Sequence, residues 1–388
     1  MSASKTIKIL SRLLCAALLF SPAIAFADYE LNLAPGVTEV SQMQYDLHML
    51  VLWICTVAGI GVFAVMIYSI ISHRKSKGAQ AAQFHESTTV EVIWTVIPFA
   101  ILVAIAVPAT SGLLMLESTD KADVNIKVTG IQWKWEYNYI DEDGVKFISQ
   151  LPAAHRKASK LGSGEDVTTI ENYLLEVDNP ATADDLADGY IVVPEKKRVR
   201  LLITAKNVIH AWWVPALGVK RDAIPGYINE SWFYAEERGI YRGQCAELCG
   251  KGHGFMPIVV KVVSQADYVS WISKQKGLAS ASAGEDSKTF TMAELMKRGE
   301  AVYNSSCAGC HQSTGEGITG AFPAIKGSKI ATGNKAGHIN IVKNGKPGTA
   351  MAAFGSQLSK ADLAAVITFE RNAFGNKKGD MVQPSDIK

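Results

Sequence analysis

Hydrophobic and polar positions follow three different patterns along the chain. Near the N-terminus, Lys5, Lys8 and Arg12 lead into an apolar run from Leu13 to Phe20, and Ala25-Phe26-Ala27 follows. A basic segment, a short apolar core and an A-x-A site predict a secretory signal peptide over 1–27, cleaved after Ala27. Two longer apolar stretches run from about Met49 to Ile71 and from about Val92 to Leu116, neither with an internal charge. Each has the roughly 20 residues needed to cross the hydrocarbon as a helix, and Pro98 and Pro108 are tolerated in such a helix. Arg74, Lys75 and Lys77 lie between them and place that loop in the cytoplasm. The rest of the chain, after about Glu117, is then outside it. Cys55 falls within the first span and reads as a small packing residue.

The pattern then changes to short β-branched runs bounded by Gly, Pro, Asn or Asp. Val124–Val128, Tyr173–Val177, Arg198–Ile203 and Ile258–Val262 are examples, and they predict a small antiparallel sandwich or barrel. The polar stretch 153–168 and the acidic stretch 180–190 read as surface loops. A Gly/Ala/Ser-rich segment follows and predicts a flexible linker over 276–291. Helices are expected over Met292–Tyr303 and Ser359–Phe369, the second with Ser359 as N-cap. The predicted order is thus signal peptide (1–27), N-terminal segment with two transmembrane helices (28–117), all-β domain (118–275), linker (276–291) and small all-α domain (292–388).

Composition narrows the function. Hydrophobic residues make up 48% and charged residues 20% of the 388, too apolar for a disordered chain and too charged for a wholly embedded one. The 39 basic and 37 acidic residues leave a net charge of +2, which excludes nucleic-acid binding driven by bulk charge. Six cysteines are too few for a disulfide scaffold, yet four fall in two tight pairs, Cys245/Cys249 and Cys307/Cys310.

The first pair belongs to Gly243-Gln-Cys245-Ala-Glu247-Leu-Cys249-Gly-Lys-Gly-His253-Gly-Phe-Met256, with His210 upstream. Two thiolates, two imidazoles and a thioether are a soft set suited to copper, and the second Cys permits two coppers bridged by sulfur. A structural zinc site and a Cys245–Cys249 disulfide are the alternatives. Met256 and the β context weigh against zinc, and the two His against a mere disulfide. The second pair, Cys307-Ala-Gly-Cys310-His311, is the attachment signature of c-type haem, whose iron His311 binds. A thioredoxin-like pair would need a βαβ context that is missing here. Met351 is the expected sixth ligand, because Met/His ligation raises the potential as electron transfer requires, and His338 is the alternative.

With Val208-Ile-His210-Ala-Trp212, Asp222-Ala-Ile-Pro-Gly226 and Gln132-Trp133-Lys134-Trp135-Glu-Tyr137, the copper loop closely resembles cytochrome c oxidase subunit II over roughly residues 40–270. The remainder is similar to a fused cytochrome c domain, as in bacterial haem–copper oxidases whose subunit II carries its own haem. Quinol oxidase subunits share the architecture but lack the copper ligands present here.

The resemblance implies a cupredoxin-like Greek-key barrel holding a dinuclear CuA centre. His210 and His253 would each cap one copper, Cys245 and Cys249 would bridge them, and Met256 would be a weak ligand. Glu247 would ligate through its backbone carbonyl, its side chain facing a magnesium site shared with subunit I. Trp133 would be where electrons enter, with Trp135 and Tyr137 structural. Glu91 would mark the mouth of a proton-uptake path in subunit I. Asn207 stands where some members have Asp. The implied partners are subunits I and III, a soluble or membrane-bound cytochrome c, and lipid of the bacterial inner membrane, with both metal domains periplasmic. The implied activity is electron transfer within a proton-translocating cytochrome c oxidase that reduces oxygen to water, this subunit not binding oxygen itself. A CuA-bearing nitric oxide reductase subunit and a membrane-tethered copper-binding module are the rival readings.

Overall fold

Thr38 begins the first long helix. Its hydroxyl accepts from the Ser41 amide, and the Ser41 hydroxyl answers to the Thr38 amide, so two of the orphan donors of the first turn are satisfied. Helix α1 (Glu39–Ser72) and helix α2 (Thr88–Leu116) pack side by side. Both extend beyond their apolar cores. Side chains such as Val57, Ile60, Phe63, Phe99 and Val107 stay more than half exposed, as lipid-facing residues do. The computed structural model describes residues 32–388 apart from 81, 82, 84, 119, 159–165, 180–188 and 356. The expected signal peptide and nearly all of the acidic stretch lie outside the described residues.

The helix ends are tied to the β region. Thr38 Oγ1 donates to the Leu217 carbonyl at 3.0 Å, Gln44 Nε2 to the Gly218 carbonyl at 2.8 Å, and Trp232 Nε1 to the Met115 carbonyl at 3.2 Å. Gly218 has a φ of +70°, and a Cβ there would lie 2.8 Å from the Ser41 nitrogen, so only glycine fits against the helix start.

Ten strands form two five-stranded sheets. The first runs β3 (Lys146–Ser149), β2 (Lys134–Tyr139), β1 (Val124–Ile131), β5 (Arg198–Ala205), β8 (Asn229–Tyr234). The second runs β4 (Ile191–Pro194), β10 (Pro257–Val263), β9 (Gly239–Cys245), β6 (His210–Val214), β7 (Val219–Ala223). In β5 the alternate residues Val199, Leu201, Ile203 and Ala205 are buried. They join Val128, Trp135, Tyr137 and Phe233 from the same sheet and Trp212, Val214, Ile258 and Val260 from the other in one core. Each large apolar side chain so buried contributes about 1.5–3 kcal/mol. The sandwich is mixed rather than wholly antiparallel, because β1–β5 and β4–β10 pair in parallel. The chain crosses to the second sheet at β4 before returning at β5, which supplies the crossover a parallel pair needs.

Three expectations change. Tyr173–Val177 is not a strand: Asn172 and Leu174 adopt positive φ, and the segment turns, leaving only a bridge from Asp178 to Gln150. Part of the 153–168 loop is a short helix, α3 (Ala153–Ala158). The linker expected over 276–291 is mostly helical, since α4 spans Gln265–Glu285. Ser264 caps it by accepting from the Asp267 amide at 3.1 Å, and Trp271 on it lies 5.2 Å from the Tyr139 ring. Its alanines favour helix strongly enough to outweigh Gly277 and Gly284.

The C-terminal region is helical, as expected: α5 (Met292–Ser306), α6 (Ala308–His311), α7 (Lys335–Asn344) and α8 (Lys360–Asn372). Thr291 and Glu294 make a capping box on α5, and Ser359 caps α8 by accepting from the Asp362 amide at 3.0 Å. Helices α5 and α8 cross at Gly299, where a Cβ would collide with the Ala365 carbonyl oxygen and lie 2.6 Å from Phe369 Cβ. Leu295, Val302, Tyr303, Val366 and Phe369 fill the core around the crossing.

Candidate metal centres

The copper motif is assembled by strand pairing. His210 opens β6 and Cys245 closes β9, and these antiparallel neighbours place Trp212 opposite Cys245. The loop from 246 to 256 leaves β9 and returns into β10, held at its two ends. The Cys245 amide donates to the Met256 carbonyl at 3.0 Å, and the Ala246 amide to the Ala211 carbonyl at 3.0 Å. Within it His253 begins a single 3-10 turn (His253–Phe255) that brings its ring back toward Cys249.

The result is a converging donor set. Cys245 Sγ lies 3.8 Å from His210 Nδ1 and 3.8 Å from Cys249 Sγ. Cys249 Sγ lies 3.7 Å from His253 Nδ1 and 3.7 Å from Met256 Sδ. The Glu247 carbonyl oxygen is 3.5 Å from Cys245 Sγ, while its carboxylate side is exposed. Ligand atoms each about 2.0–2.3 Å from a shared ion subtend separations of this size. The ligand atoms of His210, Cys245 and Cys249 all fall within 4.8 Å of one another, and all three residues are buried. The two sulfurs are unbonded.

Burial and proximity also set the charge. The hydrogen bond between the two thiols pulls Cys245 down and pushes Cys249 up, and burial adds to the rise at Cys249. A soft cation bound here would hold both sulfurs as thiolates. The His210 ring is held by Trp135, edge-on at 5.8 Å, and by the absence of a side chain at Gly130, whose Cβ would lie 2.7 Å from His210 Cδ2.

Trp133 stands just outside β2, half-buried, and its Nε1 donates to the Cys249 carbonyl at 3.1 Å. It covers the face of Gly252, where a Cβ would overlap the indole. Trp135, Tyr137 and Tyr139 are core residues, with Trp212 Nε1 donating to Tyr137 Oη at 3.3 Å. The support that Gln132 and Asn207 give the copper loop was not legible from the sequence. Gln132 Nε2 also donates to the Cys249 carbonyl, at 3.0 Å, and Asn207 Nδ2 holds Gln132 Oε1 at 2.9 Å. Gln132 was visible only as part of the aromatic motif, and nothing in its spacing pointed 117 residues along the chain.

In the helical region Cys307 caps α5, and Cys310 and His311 lie on α6. His311 is buried, and its Nδ1 donates to the Pro323 carbonyl at 2.7 Å, leaving Nε2 as the free ring nitrogen. The donor set fits a covalently attached haem bound through that nitrogen. Met351 is half-buried against the same core. His338 is buried but engaged elsewhere: its Nε2 lies 2.8 Å from Glu370 Oε2. Glu91 is exposed in the first turn of α2, remote in sequence from both clusters.

The helical region touches the copper side of the sandwich. Lys134 Nζ stands over the Phe354 ring at 5.5 Å, and burial pushes its ammonium down to about 8. Lys134 also draws the Cys307 thiol down against the larger effect of burial, and Lys251 of the copper loop does the same to Cys310.

Residues 124–263 match the family described as cytochrome C oxidase subunit II, periplasmic domain, and residues 27–111 match its transmembrane domain. Residues 294–369 match cytochrome C oxidase, cbb3-type, subunit III. A probable cytochrome c oxidase subunit 2 from Rickettsia bellii is 37% identical over 260 residues, covering 67% of this chain and 88% of the relative. Cytochrome c oxidase subunit 2 of Cereibacter sphaeroides is 36% identical over 244 residues, covering 63% of this chain and 79% of the relative. The solved periplasmic domain of subunit II of cytochrome oxidase from Bradyrhizobium japonicum is 40% identical with a TM-score of 0.33, covering 41% of this chain and 98% of that one. The match spans the membrane helices, the sandwich and its copper motif, and a haem-attachment region follows: the chain belongs to the cytochrome c oxidase subunit II family, in a form that carries a cytochrome c domain at its C-terminal end.

Proposed function

We propose that this chain is the electron-accepting subunit of a proton-pumping terminal oxidase of the bacterial inner membrane. It takes electrons from a periplasmic cytochrome c and delivers them to haem in subunit I, where oxygen is reduced to water. The observation that carries this reading is the convergence of two thiols, two imidazoles, a thioether and a backbone carbonyl in one pocket of the sandwich. That set suits a dinuclear copper centre, and Cys307-x-x-Cys310-His311 suits a covalent haem; together they supply one-electron chemistry.

In this reading His210, His253, Cys245 and Cys249 would be the main ligands of the copper centre, with Met256 and the Glu247 carbonyl completing the set. The exposed Glu247 carboxylate faces a magnesium site at subunit I. Cys307 and Cys310 hold the haem, His311 and Met351 bind its iron, and the Pro323 carbonyl fixes the His311 ring. Trp133 provides the path into the copper loop, through its hydrogen bond to the Cys249 carbonyl. Glu91 sits at the cytoplasmic mouth of the proton path. Subunits I and III and lipid surround α1 and α2, and the regions 118–275 and 292–388 lie in the periplasm. The contact between Lys134 and Phe354 supports transfer from the fused haem straight to copper.

The test is Trp133→Phe in the assembled oxidase, which keeps a ring over Gly252 but removes the indole N–H. Stopped-flow reduction of copper is expected to slow about tenfold, equivalent to ~1.4 kcal/mol in the barrier, with the copper spectrum retained. An unchanged rate would remove Trp133 from the path.

A further inference from the structure

Strand β2 has two faces. Trp135, Tyr137 and Tyr139 point into the core of the sandwich, so Lys134 and Glu136, which alternate with them, lie on the outer face of the first sheet. The outer face of a sandwich is ordinarily wet, yet Lys134 is 5% exposed and Glu136 6%. Ile148, beside the core residue Phe147 on β3, is buried on that face as well. The helical region is what covers them. A cavity of about 960 Å³ has Glu136, Lys146 and Ile148 in its wall together with Val302, Ser305 and Leu358. Two residues before Glu136 the regions meet, with Lys134 Nζ 5.5 Å from the centre of the Phe354 ring.

The charges on this face leave the ring as the counterpart of Lys134. Glu136 is engaged by Lys146 at 3.3 Å and by Lys206 at 3.4 Å. Burial is the main influence lowering the Lys134 ammonium; Lys206 and Arg156 add to it as like charges, and Cys307 and Glu136 oppose it. A buried ammonium is costly, and the negative face of the Phe354 ring offsets part of that cost. A methionine would fill the same space with no charge to desolvate.

The contact joins the surroundings of the two metal sites through neighbouring residues. Trp133, next in the chain to Lys134, donates to the Cys249 carbonyl of the copper loop at 3.1 Å. Phe354 follows Met351 by three residues, and its amide donates to the Val342 carbonyl at 3.1 Å, which anchors it in the helical core. Elsewhere the helical region is held without Lys134. Asp286, just after α4, accepts from the Ala361 amide at 2.9 Å, and Arg298 bridges Glu285 and Asp362 at 2.5 and 2.7 Å. Removing the lysine therefore loosens one contact and leaves the region attached.

We propose that Lys134 is a positioning residue for transfer from haem to copper: its ammonium pins the Phe354 end of the Met351 segment beside the Trp133 side of the copper loop and so fixes the separation of the two centres. Ferrous haem gives up one electron and the oxidised copper centre takes it, so no further reactant is needed. Transfer weakens steeply with separation, and a contact that narrows the range of separations sets its rate. This rests on the reading of the two motifs as copper and haem sites.

The test uses the full chain as wild type, Lys134→Met, Lys134→Arg and Phe354→Leu. Without any metal, acetylation of Lys134 in the wild type, read by mass spectrometry, is expected to run about tenfold slower than that of the exposed Lys121, because it needs the contact to open. With haem and copper loaded, Lys134→Met is expected to broaden the copper–haem distance distribution measured by pulsed electron paramagnetic resonance. It is also expected to slow flash-initiated haem-to-copper transfer about tenfold, with both midpoint potentials unchanged. Lys134→Arg keeps a cation that stacks on the ring and is expected to stay within about threefold of wild type. Phe354→Leu keeps an apolar side chain but removes the ring face; it is expected to follow Lys134→Met and takes its place should that variant not mature. Lys134 acetylated as fast as Lys121, or a Lys134→Met protein with the wild-type distance distribution and rate, overturns the proposal. A wild-type chain that binds no copper or carries no covalent haem would instead overturn the reading of those sites.

Discussion

Met351 and His311, the proposed ligands of the haem iron, have two very different local supports. His311 is locked by one hydrogen bond to Pro323, twelve residues on, whereas Met351 sits in an irregular segment with only partial burial. Replacing Met351 with alanine is expected to abolish the near-infrared methionine–iron charge-transfer band while leaving the haem covalently attached. A band of unaltered intensity would mean that another side chain binds the iron, and His338 would have to leave Glu370 to do so. Most of the candidate ligands could be named because they recur at close spacing, within 245–256 and 307–311, whereas His210 and Met351 stand apart from those loops. Their supports could not be named this way. Gln132 and Asn207 reach the Cys249 carbonyl across more than a hundred residues of chain, or through a partner that does, and His338 meets Glu370 across 32. Such pairs are set by strand register and helix crossing, which no local pattern encodes.

At the scale of elements, helix boundaries were well marked where a capping residue preceded an amphipathic run. Ser359 and Thr291 each satisfy an amide of the first turn, and helices begin directly after them. Two of the misreadings have one cause. Tyr173–Val177 has strand composition but turns at Leu174, and the alanine-rich stretch ending at Glu285 has linker composition but is helical. Composition in a short window is a weak guide when the backbone is decided by what it packs against. In α4 that partner is visible, since Trp271 docks on Tyr139 and Phe147. The α5–α8 crossing gives a stability prediction. Gly299→Ala inserts a methyl into the Ala365 carbonyl and Phe369, and overpacking of this kind costs about 1–3 kcal/mol. The chemical-denaturation midpoint followed at the Soret band is expected to fall while the copper signal keeps its own midpoint. An unchanged Soret midpoint would mean that the helices separate to admit the methyl at no cost.

Over the whole molecule, side-chain contacts join the apolar helices to the sandwich and the sandwich to the helical region. Thr38, Gln44 and Trp232 fasten the sandwich to the ends of α1 and α2, which fixes the copper pocket relative to the membrane spans. Lys134 and Phe354 fasten the helical region to the other side of the same pocket. The sequence order of these parts was readable from the change in hydrophobic period alone. The mixed pairing of the sheets was not, because parallel pairing depends on where the chain crosses between sheets rather than on any one strand.

The central claim is that the pocket formed by His210, Cys245, Cys249, His253 and Met256 takes two coppers in series with one haem. The most direct measurement is the copper-to-haem ratio of the full chain, matured with haem and loaded with copper, together with its electron paramagnetic resonance spectrum. This account predicts two coppers per haem and a mixed-valence signal that Cys249→Ser abolishes. A single copper, or a zinc-filled pocket with no mixed-valence signal, would contradict it.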